Sequence, residues 1–250
     1  MEYGLIGNPL GHSYSKIVHG FIGDYDYQIT PILPEILDAF MKAKDFKGIN
    51  VTIPYKKEVI PYCDHVDPLA ERIGSVNTIV NRDGELWAYN TDYTGFSKMA
   101  ERSGLLFQDK KVLILGSGGT MLTASNVVKD KGAASVTVVS RKGPITYEDL
   151  PDYYDSDILI NTTPVGMYPN TDEAPVEVKH FTKLEGVLDV IYNPLTTKLV
   201  ADARKMGVKA ENGLYMLVAQ AVKASELFFG EAVADEVYDR VYEEVINLEH

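Results

Sequence analysis

The sequence predicts an α/β protein whose strand-rich first part gives way to a more regular second part near residues 92–98. Three observations carry that prediction: short apolar runs alternating with helical stretches, a glycine-rich turn directly after one of those runs, and a pair of amphipathic segments at the C-terminus. The chain has 250 residues, enough for one large domain or two moderate ones. Its 45% hydrophobic and 24% charged residues are ordinary for a globular protein.

In the first part, apolar runs at 3–6, 27–32, 49–53, 76–81 and 86–90 read as strands. Between them, residues 34–43 have helical spacing, with Ile36, Leu37, Phe40 and Met41 on one face. The second part is more regular. The run at 111–115 enters the glycine turn as a buried parallel strand does, and 123–131 can form a helix. Further strands are expected at 136–139, 157–160 and 187–191, then a helix at 199–206 and a short strand at 207–210. Strand alternating with helix implies a parallel, doubly wound sheet. Residues 214–229 form an amphipathic helix broken at Gly230, and Val233, Val237, Val241 and Val245 mark a second. These tail helices serve either internal packing or a homodimer face.

Charge narrows the partners. Lys and Arg number 24 against 36 Asp and Glu, for a net charge of −12. No basic face is available to displace counterions, so no nucleic acid is expected as a partner. An anionic ligand must instead be held by locally placed cations. The single cysteine, Cys63, excludes an internal disulfide and a thiolate zinc cluster, and the histidines have no metal-ligand spacing; no metal is expected. The opening residues carry an acid where a signal peptide needs a base, and no apolar run approaches the roughly 20 residues of a membrane span. A soluble, cytoplasmic protein without a membrane partner is expected. The final Leu-Glu-His resembles an expression-tag remnant.

Gly116-Ser117-Gly118-Gly119, between a strand and a helix, suits a dinucleotide pyrophosphate, because glycines let the backbone approach and the helix N-terminus supplies N–H donors. Met121 stands where the usual fingerprint has its third glycine. The next strand ends in Ser140-Arg141-Lys142 with no acid, which favours a 2′-phosphate and therefore NADP over NAD. Three polar clusters lie outside this pattern: residues 11–16, 50–56, and Asn77-Thr78 with Asn90-Thr91-Asp92. Capping or solvation accounts for each alone. Together they offer a lysine, an aspartate and neutral hydrogen-bonding groups, which suits a polyhydroxylated, carboxylated substrate.

Seven motifs in order make the chain resemble the shikimate dehydrogenase family along nearly its whole length. They are Gly11-His12-Ser13-Tyr14-Ser15, Asn50-Val51-Thr52-Ile53-Pro54-Tyr55-Lys56, Gly74-Ser75-Val76-Asn77-Thr78, Asn90-Thr91-Asp92, Asn161-Thr162-Thr163-Pro164-Val165-Gly166-Met167, Asp189-Val190-Ile191-Tyr192-Asn193-Pro194, and Gly213-Leu214-Tyr215-Met216-Leu217-Val218-Ala219-Gln220. The resemblance implies an enzyme that reduces 3-dehydroshikimate to shikimate with NADPH in aromatic amino acid biosynthesis. It implies two α/β domains, a substrate domain, 1–93 plus 214–250, and a Rossmann-like NADP domain, 94–213, with a cleft between them. It gives Ser13 and Ser15 to the carboxylate and Thr52, Asn77, Asp92, Tyr192 and Gln220 to the carboxylate or ring hydroxyls. Lys56 resembles the family's proton-transfer residue, with Asp92 its partner. Gly116, Ser117, Gly118, Gly119 and Thr120 would line the pyrophosphate, and Ser140, Arg141 and Lys142 the 2′-phosphate. Thr162, Thr163, Val190 and Gly213 match cofactor-side positions.

On this resemblance Lys56→Ala is expected to lose mainly kcat, and Ser13→Ala mainly substrate affinity. The departures from the family pattern fall chiefly on the cofactor side: Thr120-Met121-Leu122-Thr123 replaces small residues and an Arg, and Gly143-Pro144 shortens the connection after Lys142. Near the first motif, Lys16 and Gly20 replace the usual Pro and Asn. The alternatives are a quinate/shikimate dehydrogenase using NAD, and a non-catalytic sensor of shikimate-like ligands or nucleotides.

Overall fold

The computed structural model describes residues 1–10 and 14–248. In chain order the first half holds β1 (Tyr3–Gly7), α1 (Ser15–Ile22), β2 (Tyr27–Pro31), α2 (Pro34–Ala43), β3 (Gly48–Val51), β4 (His65–Val66), α3 (Pro68–Ile73), β5 (Thr78–Arg82), β6 (Glu85–Tyr89) and α4 (Thr91–Arg102). The second half holds β7 (Lys111–Leu115), α5 (Gly119–Asp130), β8 (Ser135–Val139), β9 (Ile158–Asn161), β10 (Gly186–Asp189), α6 (Lys198–Lys205), β11 (Lys209–Glu211), α7 (Leu214–Phe229) and α8 (Glu236–Leu248). The chain divides into two units, Met1–Gly95 with Val218–His250, and Phe96–Leu217.

The first unit is built on a six-stranded sheet of order β2-β1-β3-β5-β6-β4. Strand β1 runs parallel to β2 and β3, whereas β5 is antiparallel to both β3 and β6. Ile6, Ile49, Val51, Ile79 and Leu86 fill one side with Leu37 and Met41 of α2. Tyr3, Leu5, Tyr27 and Val80 fill the other with Ala224 and Phe228 of α7. Gly48 makes the second contact possible, since a Cβ there would stand 2.3 Å from the Phe228 ring.

Several elements differ from the sequence reading. Ile36 is 49% exposed, because α2 meets the sheet through the narrow Leu37–Met41 stripe and Ile36 lies a further 100° round the helix. Val233 precedes α8, whose buried stripe is Tyr238, Val241, Tyr242 and Val245. Valines at every fourth position drift about 40° per step and cannot all face one core. Strand β3 ends at Val51, so Thr52 stands in the following turn, and β5 begins only at Thr78.

The second unit carries a five-stranded sheet of order β11-β10-β9-β7-β8, parallel throughout. Its central strands β7, β9 and β10 are continuous apolar runs buried on both faces, whereas the edge strands β8 and β11 are partly exposed. Leu115 pairs with both Val139 and Asn161, and Asn161 pairs with Asp189. The ends of β7, β8, β9 and β10 are therefore level, and the loops after them emerge together at one edge. Ligands of open parallel sheets bind at that edge. Helix α5 starts at Gly119 rather than at 123, so the glycine turn leads straight into its first turn. Among the described residues no helix is long and apolar enough to cross a membrane.

Candidate active site

In the first unit the turn after β3 and the start of α4 bring two charged side chains together. Lys56 Nζ lies 2.5 Å from Asp92 Oδ2, with the side chains 16% and 10% exposed. Tyr55, fully buried, anchors the lysine's turn by donating its hydroxyl to the Ile32 carbonyl at 2.5 Å. Asp92 sits in the first turn of α4, where the helix dipole favours an acid. Asn90 accepts from the Tyr93 N–H at 3.1 Å, as an N-cap does, and donates to the Ser75 carbonyl at 2.7 Å. The Asn-Thr-Asp cluster therefore divides its labour: Asn90 caps and Asp92 pairs.

Asn77 is held between these segments. Its Oδ1 accepts from the Thr91 N–H at 2.7 Å, and its Nδ2 donates to Thr91 Oγ1 at 3.0 Å. Because a backbone N–H only donates, the amide orientation is fixed, and among the described residues one Nδ2 hydrogen is left over. Ser15 is the buried first residue of α1, Thr52 is half-buried in the turn, and Gln220 lies half-buried on α7. Lys16 is exposed. Ser13 lies outside the described residues. On the core side, His19 stacks on Tyr27 at 3.8 Å, with its Nδ1 bonded to the Tyr25 hydroxyl. Desolvation pushes its pKa down to about 3, so this histidine is neutral.

In the second unit the level strand ends carry the expected cofactor residues. Gly116 has φ +113, and a Cβ there would stand 2.6 Å from Thr162 Oγ1, so only glycine serves. Gly118 is the N-cap of α5 without a side-chain cap bond, and open space surrounds its Cβ position. Uncapped first-turn amides, bordered by exposed Ser117 and half-buried Gly119 and Thr120, suit the oxygens of a pyrophosphate. After β8, Ser140 is buried while Arg141 and Lys142 are exposed. Two exposed cations with no acid at the strand end suit a 2′-phosphate.

Thr162 and Thr163 spend their hydroxyls on the loop itself. Thr162 Oγ1 donates to the Leu115 carbonyl at 2.6 Å, and Thr163 Oγ1 donates to Asn161 Oδ1 at 2.7 Å. Gly213 passes so close to the chain after β10 that its Cβ would stand 2.0 Å from the Val190 carbonyl oxygen. Tyr192 follows in that loop, and burial pushes its phenol above the ordinary value.

Beneath these loops lies Asp189, which sequence reasoning quoted within a motif but gave no role. Its carboxylate accepts from Asn161 Nδ2 at 3.0 Å, the Ile191 N–H at 3.1 Å and Thr197 Oγ1 at 2.7 Å. Desolvation pushes its pKa up to about 6, because these donors are all neutral. Asn50 was likewise placed in a polar cluster and a motif without a role of its own; its partners become visible once β3 and β5 pair.

Comparison with known proteins accords with this geometry. Residues 5–79 match the shikimate dehydrogenase substrate binding domain. Shikimate dehydrogenase (NADP(+)) of Clostridium perfringens is 36% identical, with 97% of each chain covered. The chain belongs to the shikimate dehydrogenase family. The crystal structure of shikimate dehydrogenase 1 from Peptoclostridium difficile superposes with a TM-score of 0.90 at 35% identity, covering 98% of each chain. The Thermus thermophilus shikimate 5-dehydrogenase, solved with NADP(H) and shikimate, superposes with a TM-score of 0.86 at 26% identity over 98% of this chain and 99% of that one.

Proposed function

We propose that this chain interconverts 3-dehydroshikimate and shikimate with NADP, and that the Lys56–Asp92 pair moves the proton. The observation that carries the proposal is the 2.5 Å ion pair, largely withdrawn from solvent, between the turn after β3 and the first turn of α4. The first unit is the substrate-binding part, consistent with the match over residues 5–79. The second binds NADP through the uncapped start of α5 and the Arg141 and Lys142 cations. The same reading makes the protein a cytoplasmic enzyme of aromatic amino acid biosynthesis.

When bound, the nicotinamide supplies or accepts the hydride. In the reducing direction Lys56 Nζ donates its proton to the alkoxide that develops at the ketone oxygen, a typical 10²–10⁴-fold contribution for a positioned acid. Asp92 accepts a hydrogen bond from Lys56 Nζ and so aims it. Asn77 offers its remaining N–H to a ring hydroxyl. Ser13, Ser15, Thr52, Tyr192 and Gln220 complete the set that would hold the carboxylate and hydroxyls.

The test is a matrix of initial rates, pairing shikimate and quinate with NADP and with NAD. Turnover that is fastest with shikimate and NADP is expected. Equal efficiency with quinate or NAD would move the protein to the broader dehydrogenase class. Ligand binding without turnover in any pair would make it a sensor.

A further inference from the structure

We propose that Asn50 is a positioning residue that works through Thr78 to aim the Asn77 amide at the substrate. The inference rests on the reading of Asn77 as a substrate contact. Asn50 and Thr78 face each other across the antiparallel β3–β5 pair, and both are buried, Asn50 with 4% exposure. Asn50 therefore acts through its neighbours.

The direction of each bond follows from what its partners can do. Asn50 Nδ2 lies 3.3 Å from the Asn77 carbonyl oxygen, which only accepts, so the nitrogen of Asn50 is on that side. Its oxygen then takes the Tyr27 hydroxyl proton at 2.7 Å. The second Nδ2 hydrogen goes to Thr78 Oγ1 at 3.0 Å, and both amide hydrogens of Asn50 are spent. Thr78, having accepted, must donate its own hydrogen onward. Its reachable acceptors are Asn77 Oδ1 at 3.2 Å and Thr91 Oγ1 at 3.1 Å.

Asn77 Oδ1 thus accepts from the Thr91 N–H and from the end of a hydroxyl chain, either Thr78 directly or Thr91 Oγ1 at 3.3 Å with Thr78 donating to it, and Asn50 sets the direction of that chain. Turning the Asn77 amide over would place its NH2 group against both. Without the N–H from Asn50, Thr78 could rotate and accept from a turned amide, so one of the two locks would open. A buried relay of this kind holds a side chain to one orientation before the ligand arrives.

The test compares Asn50→Leu, Thr78→Val and Asn77→Ala with the parent enzyme, measuring kcat and both KM values. Thr78→Val keeps shape, and it carries the test if Asn50→Leu fails to fold. Both relay variants are expected to raise KM for shikimate roughly 3- to 10-fold, the worth of one neutral hydrogen bond. KM for NADP should be unchanged, and kcat should move less than twofold. On the Asn77→Ala background Thr78→Val should add little to KM. A full additive effect there, or equal losses in both KM values, would overturn the positioning role and leave a structural one. If Asn77→Ala alone leaves the shikimate KM unchanged, the reading of Asn77 fails instead.

Discussion

Each unit buries a carboxylate beside its candidate site, and the two are treated in opposite ways. Asp92 faces a cation at 2.5 Å and retains some exposure. Asp189 is fully enclosed and meets only neutral donors, so burial raises its pKa to about 6. The contrast separates a carboxylate paired with a cation, to which the proposal gives a part in proton transfer, from one that ties loops together. A charge that exchanges protons needs a partner and a path to the ligand, whereas one that ties loops together needs only donors.

Exchanging each acid for its amide breaks this comparison most directly. Asp92→Asn should lower kcat by about 100-fold, within the range for acid–base groups, while Asp189→Asn should leave kcat within a few-fold. Equal losses in steady-state kcat would erase the distinction. Next in size are two glycines of the second unit. Gly213→Ala drives a Cβ into the Val190 backbone, and denaturant melts should show a loss of about 3 kcal/mol or more. Gly118→Ala meets nothing; stability should hold while titration shows weaker NADP binding.

The pH dependence of stability sharpens the comparison further. Asp189 has a folded pKa near 6 against a reference of 3.8. The folded state therefore binds the extra proton between these values, and stability from this group falls as pH rises from about 4 to 6 and is flat above. The fall should be about 3 kcal/mol and absent in Asp189→Asn, read as the difference between the two proteins' unfolding curves. The smallest effect expected is that of Tyr55→Phe, which loses the bond to the Ile32 carbonyl, about 1 kcal/mol by urea unfolding.

The units also differ in how much of them could be read from the sequence. Strand β7 was recovered residue for residue, because a strand buried on both faces is a continuous apolar run between clear turn signals. The first unit's strands were found with shifted ends, since Thr52 and Asn77 continue the local pattern and still bond to neighbouring backbone but fall just outside β3 and β5. Lys56, Asp92 and Asn77 could be named because they sit in motifs. The 2.5 Å pairing of Lys56 with Asp92 depends on how β3 and α4 come together. The relay through Asn50 and Thr78 depends on antiparallel register, and the three donors to Asp189 come from β9, the chain after β10 and the cap of α6. Apart from the Ile191 N–H, which lies two residues from Asp189, such groupings are set by tertiary pairing, which no local spacing encodes.

The most direct single measurement is kcat for shikimate oxidation by Lys56→Ala at saturating NADP, alongside its unfolding curve. Removal of the proton-transfer group should lower kcat by 10²–10⁴-fold with the protein still folded and its NADP affinity intact. A folded variant turning over at near the parent rate would contradict the assignment of proton transfer to Lys56.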